Sequence, residues 1–227
     1  MKLREPMKLS EKTTDLLKNF ASINQSLLFK AGNKIRTVSV MKNIFAEATI
    51  TESIPKDFGI YDLSQFLSGL SIHNDPEILF EGSSYLLIKG DGHTTKYYFS
   101  DPSVIVSPPD KNLSLPSEDV CFELASGQLD KLLKAGNVYD LPDLTAVGNG
   151  ERISLLVRDK ENATSNEFSI DVGETSSVFT LNFKSENIKI LPGRYEVVMC
   201  PQMAKFTNKN MNLVYFVALE PDSNIES

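Results

Sequence analysis

The stretch Ser107-Pro108-Pro109-Asp110 lies near the middle of the 227-residue chain, and the two halves that it joins follow one plan. Proline fixes the backbone angle φ and has no N–H to donate, so this stretch predicts a stiff joint that interrupts helices and sheets. On each side of it, short strand-like runs alternate with amphipathic helices. The sequence therefore predicts two β-rich domains with the same order of elements, although no convincing sequence identity survives between them.

Each half is predicted to hold two helices and several short strands. The predicted helices cover residues 10–24, 62–72, 126–136 and 185–191. Ser10 can cap the first helix, Leu16, Leu17 and Phe20 lie on its apolar stripe, and Pro192-Gly193 is a normal end for the last. Residues 221–227 are predicted to form a loose tail.

The residue content argues against an enzyme and against a metal site. The two histidines, His73 and His93, form no metal-binding pair, and Cys121 and Cys200 are far apart in sequence. No glycine-rich phosphate loop, dinucleotide motif or nucleophile elbow occurs. We therefore expect no cofactor, no metal and no catalytic residues. No apolar run approaches the roughly 20 residues that span a bilayer, which predicts an intracellular protein without a membrane partner.

The net charge of −7 argues against nucleic-acid binding by bulk attraction, but the charges are segregated. Residues 1–42 carry nine Lys and Arg against three acids, whereas residues 43–130 carry four against fourteen. Six lysines lie away from the apolar stripes of the predicted helices: Lys12, Lys18, Lys131, Lys134, Lys184 and Lys189. If the helices share one side of the sheets, these lysines can meet phosphates without reading bases. The alternative is ordinary solvated charge on a soluble protein.

Several short blocks, in order, resemble those of one known family. They are Met7-Lys8-Leu9-Ser10, Leu16 to Asn24, Ala46-Glu47-Ala48 with Ile50, Ile60-Tyr61-Asp62-Leu63 with Phe66-Leu67, Asp101-Pro102-Ser103, Pro192-Gly193 with Tyr195, and Val217 to Glu220 with Asp222-Ser223. Together they resemble the sliding clamps of T-even-type bacteriophages, over most of the chain from Met7 to Ser223. Residues 1–6 precede the usual start of the family, and Met7 resembles its initiator.

The resemblance implies an α+β protein with the DNA-clamp fold, in which two similar domains, each with antiparallel sheets and two helices, assemble into a ring. The domains would be residues 1–110 and 119–227, joined by a connector at 111–118. Such clamps are homotrimers that encircle duplex DNA without sequence preference and tether the replicative DNA polymerase as processivity factors. An ATP-driven clamp loader opens them, and in T-even phages they also activate late transcription by RNA polymerase. The implied location is the cytoplasm of the infected bacterium.

The resemblance also implies a pocket for the polymerase's C-terminal peptide, between the connector and the C-terminal segment. Its candidate residues are Leu113, Leu115, Pro116, Val198, Met199, Ala218 and Leu219. The alternative interpretation, which fits each of these apolar residues equally well, is that it belongs to the ordinary hydrophobic core of its domain. Ring closure would use edge strands from opposite domains of neighbouring subunits, with Thr94–Phe99 as one candidate edge.

Two other functions fit the sequence less well. A phage structural protein, such as a tail or capsid accessory subunit, would explain the β content, the acidity and oligomerisation, but not the lysines on the helices. A hydrolase would need a site assembled from scattered carboxylates.

Overall fold

A computed structural model describes residues 6–226 of the chain. The chain divides into two compact units, Met1–Asp110 and Lys111–Ser227.

From residue 6 onward, the first unit contains two α-helices and seven strands. In chain order they are α1 (Glu11–Ile23), β1 (Leu27–Phe29), β2 (Gly32–Val38), β3 (Ile44–Ile54), β4 (Phe58–Ile60), α2 (Leu63–Ser71), β5 (Glu77–Leu79), β6 (Tyr85–Gly90) and β7 (His93–Tyr98). Strand β1 pairs with β4 and β2 with β3, while β5, β6 and β7 form a three-stranded sheet; all these pairings are antiparallel. A single 3-10 turn follows at Pro102–Val104.

Both helices of the first unit bury one apolar face, as the 3.6-residue periodicity of their sequences predicts. In α1 the buried side chains include Leu17 and Phe20, and in α2 they include Leu63 and Phe66. Asp62 caps α2 by accepting a hydrogen bond of 2.8 Å from the N–H of Gln65.

Up to residue 226, the second unit contains one α-helix and nine strands. They are β8 (Val120–Leu124), α3 (Gln128–Tyr139), β9 (Asp143–Asn149), β10 (Arg152–Arg158), β11 (Phe168–Glu174), β12 (Val178–Lys184), β13 (Tyr195–Met199), β14 (Met203–Asn208), β15 (Leu213–Ala218) and β16 (Asn224–Ile225). One sheet has the order β11-β10-β9-β12-β16. Elsewhere β13 pairs with β8 and β14, and β14 pairs with β15, always antiparallel.

Helix α3 runs past Gly136, where the sequence predicted that it ends. A Cβ built on Gly136 would lie 3.5 Å from the carbonyl oxygen of Leu141 and 3.6 Å from Cγ1 of Val157, both ordinary van der Waals contacts, so the helix packs against β10 at this position. The helix ends instead at Asp140, which is left-handed with φ of 53° and donates its N–H to the oxygen of Gly136.

The prediction of a helix at residues 185–191 is wrong. The structure has a single 3-10 turn at Ser185–Asn187, so among the described residues the second unit has one α-helix instead of two. The reason lies in the burial pattern: Ile188 and Ile190 are both buried, with half-buried Lys189 between them. Such alternation suits extended backbone and gives a helix no apolar face to bury.

The prediction of a loose tail after residue 220 is also wrong for residues 221–226, which the structure describes. Strand β16 pairs with β12, with Ile225 opposite Phe179, and the N–H of Glu226 donates to the oxygen of Val178 at 2.8 Å. Lys160 adds an ion pair of 2.7 Å with Asp222. The C-terminal segment is therefore part of the five-stranded sheet.

Candidate nucleic-acid interface

Helix α3 carries the two lysines that are best placed to meet an anionic ligand. Its buried positions include Leu129 and Leu132, which point Lys131 and Lys134 to solvent, three residues apart on one face. Within residues 6–226 neither ammonium is in an ion pair. Both side chains are therefore exposed on the side away from the apolar stripe, as the spacing of the sequence predicted.

In the described part of the chain, no side chain caps the N-terminus of α3. Gly127 precedes the helix in the left-handed conformation, with φ of 82°, and makes no side-chain cap. Gln128 reaches back, and its Oε1 accepts a hydrogen bond of 2.7 Å from the N–H of Ala125.

Helix α1 is tied at its start by a carboxylate from β3. The oxygens of Glu52 accept hydrogen bonds from the N–H of Ser10 at 2.5 Å and from Oγ1 of Thr13 at 2.7 Å. Partial burial alone would raise the pKa of Glu52, but these hydrogen bonds outweigh it and lower the pKa to about 2. Glu52 therefore stays ionised and holds the first turn of α1. No motif in the sequence links it to Ser10, which is 42 residues away.

The exposed face of α1 is of mixed charge. Lys12 and Lys18 are both exposed, but Lys18 lies 3.0 Å from the carboxylate of Asp15, one turn earlier, and Glu11 is exposed beside them. This face attracts phosphate less strongly than that of α3 because its cations are partly compensated.

The two lysines predicted around a fourth helix lie elsewhere. Lys184 is the last residue of β12, and its Nζ lies 2.6 Å from Oδ1 of Asp143, a carboxylate that is only 1% exposed. This hydrogen bond raises the pKa of Lys184. Lys184 therefore neutralises a buried acid of β9 opposite it in the sheet. Lys189 is half-buried after the 3-10 turn and lies on no helix.

Strand β7 lies at one end of the three-stranded sheet of the first unit, and β11 lies at one end of the five-stranded sheet of the second; the opposite ends are β5 and β16. The predicted edge Thr94–Phe99 corresponds to β7. Lys96 on β7 lies over the rings of Tyr85 and Tyr98, at 4.1 Å and 4.9 Å from their centroids, and Tyr98 is 60% exposed. On β11 the exposed charged residues are acidic, Asp171 and Glu174. The sequence did not single out β11, although its alternating burial is typical of an edge strand.

Comparison with known proteins identifies the family. The sliding clamp of Vibrio phage KVP40 is 32% identical over 224 residues, which cover 94% of this chain and 99% of the relative. The sliding clamp of Enterobacteria phage T4 is 32% identical over 227 residues, covering 96% of this chain and 98% of the relative. The chain belongs to the sliding clamp family.

Two further comparisons agree with this membership. Residues 8–107 of the clamp match the family model described as DNA polymerase processivity factor. The solved structure of the C-terminal region of FEN-1 bound to A. fulgidus PCNA is similar in fold, with a TM-score of 0.69 at 14% identity over 98% of this chain and 99% of that one. The antiparallel sheets and helices described above are thus those of the DNA-clamp fold.

Two of the candidate residues for the partner pocket, Val198 and Met199, lie on opposite faces of one strand. Val198 and Met199 are neighbours on β13, so their side chains point to opposite sides of the sheet. Met199 is fully buried, whereas Val198 is 9% exposed. A peptide lying on the face of Val198 would therefore not reach Met199.

The remaining candidates differ in exposure. Leu113 is 44% exposed, Leu115 is half-buried and Pro116 is exposed. Ala218, the last residue of β15, is half-buried, and Leu219 is 9% exposed. Leu113 and Pro116 thus offer the most apolar surface to a ligand.

Residues 6–226 contain no group of three or more His, Cys, Asp or Glu side chains placed to hold a metal ion. No helix in this range is long and apolar enough to cross a membrane.

Proposed function

We propose that the clamp forms a homotrimeric ring that encircles duplex DNA and keeps the replicative DNA polymerase on its template. The single observation that carries this proposal is the identity of 32% with phage sliding clamps over nearly the whole of both chains. The proposed ring carries out no chemical step itself and works in the cytoplasm of the infected bacterium.

In the proposed ring, α1 and α3 line the hole. Lys131 and Lys134 contact phosphates of either strand, with a smaller contribution from Lys12 and Lys18. Contacts to phosphate alone carry no sequence information, and a few of them per subunit favour the duplex weakly enough to permit sliding. The net charge of −7 is compatible with this role because the ring retains DNA by topology rather than by affinity.

We propose that the ring closes where β7 of one subunit pairs with β11 of the next. Both are end strands with backbone groups available for a ladder, and their charges are opposite: Lys96 on β7, and Asp171 and Glu174 on β11. This head-to-tail contact uses a different edge on each side, as a cyclic trimer requires.

The partners of the proposed ring follow from its closure and its role. An ATP-driven clamp loader opens the proposed ring around DNA, since a closed ring cannot pass over a circular duplex unless one of its interfaces opens. The polymerase binds through a C-terminal peptide at the pocket that includes Leu113 and Pro116, and factors of late transcription by RNA polymerase use the clamp in the same way.

A capture assay on DNA of two shapes tests the proposed function. The loader, ATP and the clamp are incubated with nicked circular DNA, and DNA-bound clamp is separated by gel filtration before and after a single restriction cut. We expect the clamp to stay on the circle and to be lost from the linear form, because only a topological link depends on free ends. Equal retention on both forms would refute encirclement.

The mass of the clamp in solution tests the proposed closure. We expect light scattering to give a trimer, and Tyr98→Glu to shift it toward monomer because it places an acid opposite the acidic edge β11. Tyr61→Glu is the matched control, since Tyr61 is exposed to a similar extent, 58% against 60%, but lies outside β7. A Tyr98→Glu protein that remains as trimeric as the control would contradict this pairing.

A further inference from the structure

His73 is a buried polar residue of the first unit that no part of the proposed function uses. It follows α2 and is only 6% exposed. Its Nε2 lies 2.9 Å from Oγ1 of Thr95, and its Nδ1 lies 3.4 Å from the carbonyl oxygen of Gly90. A carbonyl oxygen only accepts, which assigns the proton to Nδ1, so the hydroxyl of Thr95 donates to Nε2. Both ring nitrogens are therefore directed at the hairpin of β6 and β7.

The segment after α2 lies very close to this hairpin. A Cβ built on Gly90, the last residue of β6, would lie 2.8 Å from the carbonyl oxygen of Asn74 and 2.9 Å from Cβ of His73. Both distances are too short for a real side chain, so the approach requires glycine at position 90. At the turn of the hairpin, Oδ2 of Asp91 accepts from the N–H of Asn74 at 3.1 Å. The hairpin is thus held by the backbone of this segment as well as by the imidazole.

Strand β7 is restrained at two points along its length. Thr95 and Tyr97 are two residues apart, so they lie on one face of the strand, and both are half-buried. The ring of Tyr97 packs edge-on against Phe66 of α2, with 5.2 Å between the ring centroids. Thr95 is held by His73, just beyond the C-terminal end of the same helix. Two contacts at alternate residues oppose rotation of the strand about its own axis.

The opposite face of β7 carries the groups that are proposed to meet the next subunit. Lys96 and Tyr98 alternate with the two restrained residues and so lie on the other face. A slip of one residue would exchange the two faces. Because β7 lies at one end of its sheet, these side-chain contacts supply the restraint that an inner strand receives from a second neighbour.

We propose that His73 is a positioning residue for ring closure. Through Thr95 it holds β7 in the orientation in which Lys96 and the backbone of the strand meet β11 of the next subunit. The inference rests on the proposed closure through β7, and it adds a residue that lies behind the contact surface rather than on it. A histidine specifies this orientation better than an apolar residue of similar size, because its buried hydrogen bond is satisfied in one register only.

A positioning role differs measurably from a purely structural one. A histidine that only stabilises the folded subunit would affect unfolding and leave the association of folded subunits unchanged. A histidine that orients β7 affects the trimer as well, since every contact between subunits uses this strand in the proposed ring. The association of the subunits is therefore the quantity to measure.

Sedimentation velocity over a dilution series of the full-length clamp measures the midpoint concentration at which the trimer dissociates. His73→Asn places an amide near the position of Nδ1 and does not reach Thr95, whereas His73→Gln places one near the position of Nε2. We expect His73→Asn and Thr95→Val each to raise the midpoint by about tenfold, and His73→Gln to stay within about twofold of the wild type. The double variant His73→Asn/Thr95→Val should be no weaker than either single variant, because both changes remove one contact.

Thr145→Val in the second unit is the matched control. Its hydroxyl donates to Oδ1 of Asn182 at 2.9 Å, the same distance as in the contact of Thr95, but it joins the inner strands β9 and β12. This change should lower the urea midpoint for unfolding and leave the dissociation of the trimer unchanged.

The inference is overturned if His73→Asn dissociates no more readily than the wild type, if His73→Gln is as weak as His73→Asn, or if Thr145→Val loosens the trimer as much as Thr95→Val. Tyr98→Glu in the same dilution series separates this failure from failure of the proposed closure. Dissociation of Tyr98→Glu without dissociation of His73→Asn removes only the role of His73. If neither variant dissociates, closure through β7 is wrong and the role of His73 falls with it, while the circular-DNA capture assay still tests encirclement.

Discussion

Helices α1 and α3 both present lysines to solvent, but they differ in how they are capped and in how their charges are compensated. Helix α1 has a serine cap reinforced by Glu52, and its Lys18 is paired with Asp15. Helix α3 begins at a glycine without a side-chain cap, and Lys131 and Lys134 are in no ion pair within residues 6–226. The more strongly anchored helix is thus the less cationic one, so α3 should dominate contact with DNA and α1 should contribute more to stability.

Reversing the charges of α3 should have the largest effect. In the capture assay, Lys131→Glu/Lys134→Glu is expected to reduce clamp retained on circular DNA by about tenfold at low salt, since two uncompensated cations become anions facing phosphate. Lys12→Glu/Lys18→Glu on α1 should reduce it by only about threefold, since Asp15 and Glu11 already compensate that face. Light scattering should show intact trimers for both. Equal losses from the two helices would remove the distinction between them.

Removing the carboxylate behind α1 should have the next largest effect, on stability. Glu52→Gln is expected to lower the free energy of unfolding by about 1–2 kcal/mol, because the amide cannot replace two charge-assisted hydrogen bonds at the first turn. Gln128→Ala on α3 removes one neutral hydrogen bond and should cost about 0.5–1 kcal/mol. Urea unfolding followed by circular dichroism measures the free energy of unfolding of both variants. A larger loss of stability for Gln128→Ala than for Glu52→Gln would contradict the conclusion that α1 is the more strongly anchored helix.

The low pKa of Glu52 makes its contribution to stability dependent on pH. The pKa is about 2 in the folded protein, below the ordinary glutamate value, so the contribution is full above that ordinary value and is lost as pH falls toward 2. Urea midpoints of the wild type and of Glu52→Gln should therefore converge in acid, while those of Gln128→Ala and the wild type keep a constant separation. A gap between wild type and Glu52→Gln that stays constant from neutral pH to pH near 2 would argue against an ionised cap.

Releasing Lys18 from its partner should have the smallest effect. Asp15→Asn removes the carboxylate that lies 3.0 Å from Nζ of Lys18, so retention on circular DNA is expected to rise by about twofold at low salt and not at high salt. Asp130→Asn on α3 is the matched change on the other helix. A decrease in retention for Asp15→Asn would indicate that α1 does not face the DNA.

Much of this fold is predictable from local sequence, and the exceptions have a common cause. The bounds of α1 and α2 were predicted to within a residue or so because Ser10, Asp62 and the apolar stripes act locally. The 3-10 turn at Ser185–Asn187 was missed because burial of Ile188 and Ile190 depends on elements distant in sequence. Strand β16 was missed because its stability comes from the edge of β12.

The candidate functional residues also fall into two groups, those predictable from local sequence and those that depend on contacts distant in sequence. Exposure of Lys131 and Lys134 follows from a spacing that local helix geometry determines. The role of Lys184 does not, because its partner Asp143 is 41 residues away and meets it only through the register of β9 and β12. The sequence predicts that Lys34 and Arg36 lie on one face of β2, because they are two residues apart. It does not predict that a cleft lies beside them, because the cleft also requires the proline segment at residues 107–110.

The short strand β16 also bears on how many neighbours a subunit can accept. It covers one end of the five-stranded sheet, and Met7 bridges to Ile78 on the outer strand of the three-stranded sheet. The longer end strands of these two sheets are β7, with six residues, and β11, with seven. In the proposed ring each subunit would use β7 for one neighbour and β11 for the other, so assembly through these strands would add subunits in a single line and would not branch.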